Sequence, residues 1–385
     1  MISAAKRLLV FPATSLAPCA LAGPLARAPR RLFTCASHTK PSHPLQQRLP
    51  STHIAPSKAD RGMAGAAAPA GGILGPHSVI KSDVPAERFA LDLFDRLWDG
   101  YRQRVEYVRT YESLVLEQGA TFFNDHIALR TLAVQDSRTG ISSISRLFEA
   151  LGYKSAECYN FEDKNLSALY FQHAHPKLPK LFISELKTWE LSKETGGIIS
   201  NYMSKHSQDH INDEMLRKVR DVGSLSPADR AVLLDKATQC MTGPQWGLVE
   251  LEDLKAVNKE SQYGAWVLVH GYSVNHFTSL INSHETASLD TIEKTADALA
   301  AKGVPMKGTI EGEVGSSLRQ TATEAVMIDV PVLSQGKETK APWSYAYFEL
   351  AQRDPYTDPA TGKLVRNEGF MSNQATNLFE MTRTK

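Results

Sequence analysis

The chain has 385 residues, and 43 Lys and Arg against 42 Asp and Glu leave a formal charge of +1, which argues against a dedicated nucleic-acid binder. The charge is unevenly spread. No acidic residue precedes Asp60, whereas Lys6, Arg7, Arg27, Arg30, Arg31, Lys40, Arg48 and Lys58 are all basic, so the remainder sets 35 basic residues against 42 acidic ones and is mildly acidic.

A leader free of acid and rich in Ala, Ser, Thr, Pro and Arg has the composition of an organellar transit peptide, expected over residues 1–62. Its Ser and Thr content favours a plastid, while Arg30-Arg31-Leu32-Phe33 would also suit a mitochondrial presequence. The most apolar part, Leu8 to Leu25, is interrupted by Pro12, Pro18 and Pro24. It therefore lacks the unbroken run of roughly 20 apolar residues that crosses a bilayer, and no membrane partner is expected. The Ala/Gly/Pro-rich stretch 63–79 reads as a flexible linker, which leaves residues 80–385 for a catalytic domain. Cys158 and Cys240 stand apart without CxxC spacing, so neither a disulfide framework nor a zinc knuckle is visible there.

Between Val84 and Glu117, Phe89, Leu93, Leu97, Tyr101, Val105 and Val108 recur at helical intervals and predict an opening helix. Phe122 to Leu132 alternates with period two, placing His126, Ala128 and Arg130 on one face of a strand and Ile127 and Leu129 on the other. A helix over Ile141 to Leu151, closed by Gly152, comes next, followed by strands at Ala168 to Gln172 and Leu181 to Leu186. Residues Lys187 to Leu254 turn polar and helical, with Ser226-Pro227-Ala228-Asp229 as a helix start. Trp266 to His270 reads as an apolar strand, Ser273 to Ile281 as another, and Thr291 to Ala301 as a helix closed by Gly303.

The β-α order thus returns, and the halves share landmarks: His126 and Gly152 in one, His276 and Gly303 in the other. Each half also has a late strand bearing a carboxylate, Glu185 in Phe182-Ile183-Ser184-Glu185-Leu186 and Glu349 in Tyr347-Phe348-Glu349-Leu350. These features predict an α+β fold with duplicated β-α-β-β-β units curled around a shared cavity. The expected extents are about 119–187 and about 263–352 for the halves, about 188–254 for a helical insertion and about 353–385 for a C-terminal closing segment.

Such a cavity makes His126, His276, Glu185 and Glu349 candidate inward groups. Two imidazoles and one carboxylate form the facial set suited to non-haem Fe(II), and His126, His276 and Glu349 would supply it. The alternatives are hydrogen-bonded core histidines, with His270 competing for the role of His276, and a structural ion pair for Glu349. Arg130 could grip a substrate carboxylate in a bidentate manner, or form a structural salt bridge; Asp125 points to the other face by alternation and is not its obvious partner. His206 and His210 stand four apart in the insertion, where a solvated helix face is expected. Gly308 to Gly315 is Gly-rich but acidic and reads as a loop, and no phosphate loop, nucleophile elbow or HExxH helix is present.

Three ordered segments resemble the 2-oxoadipate dioxygenase/decarboxylase family, including its plant plastid members. They are Asn124-Asp125-His126-Ile127-Ala128-Leu129-Arg130-Thr131, Val269-His270-Gly271-Tyr272-Ser273-Val274-Asn275-His276-Phe277-Thr278 and Tyr347-Phe348-Glu349-Leu350-Ala351-Gln352-Arg353. The resemblance implies a vicinal-oxygen-chelate-like fold and one Fe(II) held by His126, His276 and Glu349, with Arg130 on a substrate carboxylate. Gly369-Phe370-Met371-Ser372-Asn373 falls where the family closes over its substrate, which would make Ser372 and Asn373 substrate contacts. The implied reaction takes 2-oxoadipate and O2 to 2-hydroxyglutarate and CO2 in lysine breakdown. Two other readings compete: a glyoxalase-like lyase or isomerase with Zn or Ni, using Glu185 as a fourth ligand, and a non-catalytic plastid protein that binds a metabolite.

Overall fold

The structure, a computed structural model, describes residues 75–206, 210–371 and 379–384. The expected transit peptide and most of the linker lie outside them. The described residues belong to one compact unit.

The opening helix is two helices, α1 (Pro85–Arg104) and α2 (Glu106–Glu117), because Val105 leaves helical geometry at φ −107° and ψ 88°. Pro85 sits in the first turn of α1, where its missing N–H costs nothing. The apolar stripe of α1 then buries Phe89, Leu93, Leu97, Trp98 and Tyr101. Strand β1 (Asn124–Ala133) is buried along its whole length, and α3 (Ser142–Ala150) ends before Gly152, whose φ of +102° suits glycine. Three strands follow: β2 (Lys154–Phe161), β3 (Leu166–Gln172) and β4 (Lys180–Lys187). The first of these has no counterpart in the sequence reading, because β2 is an edge strand whose first five residues are exposed and carry no apolar alternation.

The helical insertion comprises α4 (Lys193–Met203), α5 (Asp213–Arg220), α6 (Pro227–Gln239), α7 (Leu251–Glu260) and α8 (Gln262–His270). Ser226 caps α6 as its sequence foretells, accepting from the Asp229 N–H at 3.1 Å. Trp266 to His270, expected as a strand, belongs to α8. Every residue of α8 is buried, so it shows no polar face, and an apolar run without periodicity does not distinguish a strand from a buried helix. Its end signals are informative: the Ser261 hydroxyl accepts from the Gly264 N–H at 3.0 Å, and Gly271 follows at φ +61°. A Cβ on Gly271 would lie 1.9 Å from the Gly243 carbonyl oxygen, so only glycine permits this close approach.

The second half contains β5 (Val274–Leu280), α9 (Ile292–Ala301), β6 (Arg319–Ala322), the hairpin β7 (Met327–Ser334) and β8 (Lys337–Ser344), and β9 (Glu349–Gln352). A small ribbon, β10 (Pro355–Thr357) with β11 (Leu364–Arg366), comes after it. Seven strands form one sheet in the order β2-β3-β4-β1-β5-β9-β6. Phe277 projects from β5 onto α1, with its ring centroid 5.0 Å from that of Trp98 and 5.1 Å from that of Tyr101. The helices thus seal one face of the sheet. The other face, carrying His126 and His276, is left to line a cavity.

Candidate metal centre

β1 and β5 run antiparallel at the centre of the sheet, with Ala128 opposite His276 and His126 opposite Thr278. This register maps onto itself under a local two-fold that exchanges His126 with His276 and Ala128 with Thr278. The same operation relates the outer neighbours. β4 lies parallel to β1 with Phe182 opposite Ala128, and β9 lies parallel to β5 with Glu349 opposite Thr278. Glu349 therefore corresponds to Phe182, and Glu185, three residues further along β4, corresponds to Gln352.

The expected pairing of Glu185 with Glu349 is thus out of register. Glu185 Oε2 accepts from the Ile141 N–H at 2.9 Å, at the start of α3, and Gln352 Oε1 accepts from the Ile292 N–H at 2.8 Å, at the start of α9. Both side chains satisfy helix N-termini in equivalent places. Glu185 is not a fourth ligand. His270 is also outside the site, since it ends α8 with its Nε2 2.8 Å from the Ser344 carbonyl oxygen.

His126, His276 and Glu349 do converge: one ligand atom from each lies within 4.8 Å of the others. They face a cavity that is partly open to solvent and is lined also by Arg130, Phe182, Gln320, Tyr347 and Phe370. His126 Nε2 is 3.6 Å from Glu349 Oε1, and His276 Nε2 is 3.3 Å from Oε2. Burial pushes both imidazoles below their ordinary range, His276 well below it, so neither supplies the positive charge of an ion pair. Burial also lifts the Glu349 carboxyl to about 8, although Gln320 donates a hydrogen bond to Oε1. Among the described residues, Glu349 Oε2 has no hydrogen-bond partner. A buried carboxylate oxygen without a partner beside two neutral imidazoles is a donor set that a divalent cation satisfies.

Both imidazoles are oriented through Nδ1. His126 Nδ1 lies 2.9 Å from Asp125 Oδ2, and His276 Nδ1 lies 3.0 Å from Asn275 Oδ1, at positions the two-fold exchanges. An N–H donated from each Nδ1 leaves each Nε2 with the lone pair that a metal would take, at His126 2.9 Å from the Thr278 hydroxyl, which donates to it. Asp125 in turn receives a fork from Arg353, with Nε to Oδ1 at 2.6 Å and Nη2 to Oδ2 at 2.9 Å. Burial opposes ionisation of Asp125, but Arg353 and Lys180 hold its carboxyl well below the usual range. Arg353 Nη1 also donates to the carbonyls of Asn367 and Gly369, each at 2.8 Å, and so ties down the segment that brings Phe370 against His126.

Asp125, Asn275, Gln320 and Arg353 escaped the sequence reading. The available signal was the repetition of a hydrogen-bonding residue immediately before each histidine. Arg130 is buried and lines the cavity; its Nη1 donates to Thr382 Oγ1 at 2.8 Å, and its guanidinium lies 5.0 Å from the Tyr263 ring centroid. Ser372 and Asn373 lie outside the described residues. His206, expected on a solvated face, is buried with Nε2 2.9 Å from the Tyr272 hydroxyl.

A family model described as 2-oxoadipate dioxygenase/decarboxylase matches residues 94–380. The chloroplastic protein of that name from Arabidopsis thaliana is 28% identical over 277 residues, 67% of each chain. The chloroplastic/amyloplastic one from Oryza sativa subsp. japonica is 27% identical over 296 residues, 72% of each chain. Two solved structures share the fold. A putative glyoxalase superfamily protein from Ralstonia eutropha JMP134 has a TM-score of 0.64 at 23% identity, covering 74% of this chain and 86% of its own. The hydroxyglutarate synthase from Oryza sativa, solved in complex with 2-oxoadipate, has a TM-score of 0.63 at 23% identity, covering 79% and 94%. The family match spans most of the chain and includes both histidines and Glu349: the chain belongs to the 2-oxoadipate dioxygenase/decarboxylase family.

Proposed function

We propose that the chain binds Fe(II) through His126, His276 and Glu349 and converts 2-oxoadipate and O2 to 2-hydroxyglutarate and CO2, a step of lysine breakdown. The observation that carries this reading is the convergence of two neutral imidazoles and a buried carboxylate, one oxygen of which has no hydrogen-bond partner among the described residues, in a chain of this family. Bound Fe(II) supplies a Lewis acid for a 2-oxo acid and a redox centre for O2. The chain's own residues supply the rest. Asp125 and Asn275 fix the imidazoles in the tautomer that presents Nε2, and Gln320 holds the Glu349 carboxylate by Oε1.

Arg130 lies on the same face of β1 as His126, so its guanidinium can grip a carboxylate of a substrate lodged beside the metal. Phe182, Tyr347 and Phe370 make the neighbouring wall apolar and limit water. The acid-free basic leader and the chloroplastic names of the plant relatives support work in a plastid.

The test is an oxygen-electrode trace with Fe(II) and 2-oxoadipate, the product identified by mass spectrometry, and His276→Ala as control. Oxygen uptake with equimolar 2-hydroxyglutarate, abolished in the variant, is expected. No uptake, or uptake undiminished by His276→Ala, overturns the proposal.

A further inference from the structure

The two-fold that relates the half-sheets provides four equivalent corners around the cavity: His126 on β1, His276 on β5, Glu349 on β9 and Phe182 on β4. Three corners carry ligand atoms. At the fourth, the Phe182 side chain lines the same cavity and packs its ring 5.0 Å from that of Phe370 and 5.7 Å from that of Tyr159. The next layer is differentiated in the same way. Gln320 on β6, which donates to Glu349, stands opposite Ala351 of β9; the corresponding residue on β3, opposite Ser184 of β4, is Ala168. One half therefore carries a carboxylate with an amide to hold it, and the other carries phenylalanine and alanine at the corresponding positions.

We propose that Phe182 is the residue that limits this centre to three protein ligands, keeping the corner opposite in symmetry to Glu349 apolar and open to substrate. It is a specificity-determining residue. A carboxylate at 182 would be taken as a ligand, giving the four-ligand arrangement that suits a lyase or isomerase and crowds out a chelating 2-oxo acid together with O2. The inference rests on His126, His276 and Glu349 being the metal site, and it adds that the backbone is equally able to present a ligand from β4. The pairing registers carry it: Phe182 bears the same relation to Ala128 that Glu349 bears to Thr278.

The experiment moves the carboxylate across the two-fold and reads Co(II) binding by visible absorption in anaerobic titrations, with no substrate present. Glu349→Ala is expected to lower Co(II) affinity at least 100-fold. Adding Phe182→Glu to that variant is expected to restore at least tenfold of the loss, because a two-histidine, one-carboxylate set is rebuilt from the other half. If Glu349→Ala leaves affinity unchanged, the metal site itself is misassigned and both readings fall. If Glu349→Ala weakens binding and the folded double variant recovers none of it, the assignment of Phe182 alone is overturned. Should circular dichroism show that the double variant does not fold, Phe182→Glu and Phe182→Leu in the otherwise native chain decide the matter. Tighter Co(II) binding and an altered visible spectrum in the glutamate variant only support the proposal; identical titrations overturn it.

Discussion

Asp125 and Asn275 occupy equivalent positions and do the same thing to their histidines, yet one is charged and the other is not. The difference is matched by Arg353, which is 1% exposed and gives two of its donors to Asp125. Asp125→Asn would make the halves alike at this point and leave a guanidinium buried without its counter-charge. Breaking a buried pair in this way costs about 3–5 kcal/mol, and loss of a carboxylate behind a metal-binding histidine typically costs about 10–100-fold in metal affinity. Urea melts and Co(II) titrations of the variant should show both effects; a chain of native stability would contradict the structural weight given to this pair. Arg130→Lys tests a different contact, because it keeps the charge but loses the fork. Turnover should fall with Co(II) affinity unchanged, and wild-type turnover would remove Arg130 from substrate binding. Strand alternation brought His126 and Arg130 to one face correctly. It also separated Asp125 from Arg130 correctly, but alternation describes where Cβ atoms point and so gave no sign that the Asp125 carboxylate reaches its neighbour's Nδ1 at 2.9 Å.

At the scale of elements, the same limit explains why Glu185 looked like a second Glu349. Both sit on late strands among apolar residues, but the pairing of β4 with β1 shows that Glu185 is three positions beyond the ligand corner. It serves α3 instead. Glu185→Ala should therefore cost about 1 kcal/mol, the usual loss for a side chain that satisfies a helix N-terminus, and leave Co(II) affinity at the wild-type level. A loss of metal affinity would return Glu185 to the site. Strands β1, β3, β4 and β5 and helices α3, α6 and α9 were legible because alternation, caps and closing glycines agreed with their tertiary environment. The exposed strand β2 and the fully buried helix α8 were not, since each lacks the polar-apolar contrast on which periodicity depends.

Across the whole molecule, several buried histidines couple stability to pH, and His270 shows the sign without involving the cavity. It sits at the end of α8 against the rings of Trp266 and Tyr345, each with its centroid 4.9 Å away, and its Nε2–H donates to the Ser344 carbonyl. Burial brings its pKa down to about 3, with Arg104 and Arg130 acting in the same direction and the Ser344 carbonyl opposing them. In the unfolded chain the imidazole titrates near about 6.5. The unfolded state therefore binds a proton that the folded state refuses throughout the interval from about 6.5 to about 3. The associated stability is fully present above the unfolded value and is lost as pH falls, at about 1.4 kcal/mol per pH unit for one such group. His270→Gln retains an N–H donor for Ser344 but cannot titrate. In the metal-free chain, the urea midpoint of the wild type should drop more steeply between pH 6.5 and 5 than that of the variant. Parallel slopes would mean that His270 takes up its proton without unfolding the end of α8. In that case the acid sensitivity of the molecule would come from the other groups whose protonation folding opposes, among them His126, His276 and His284.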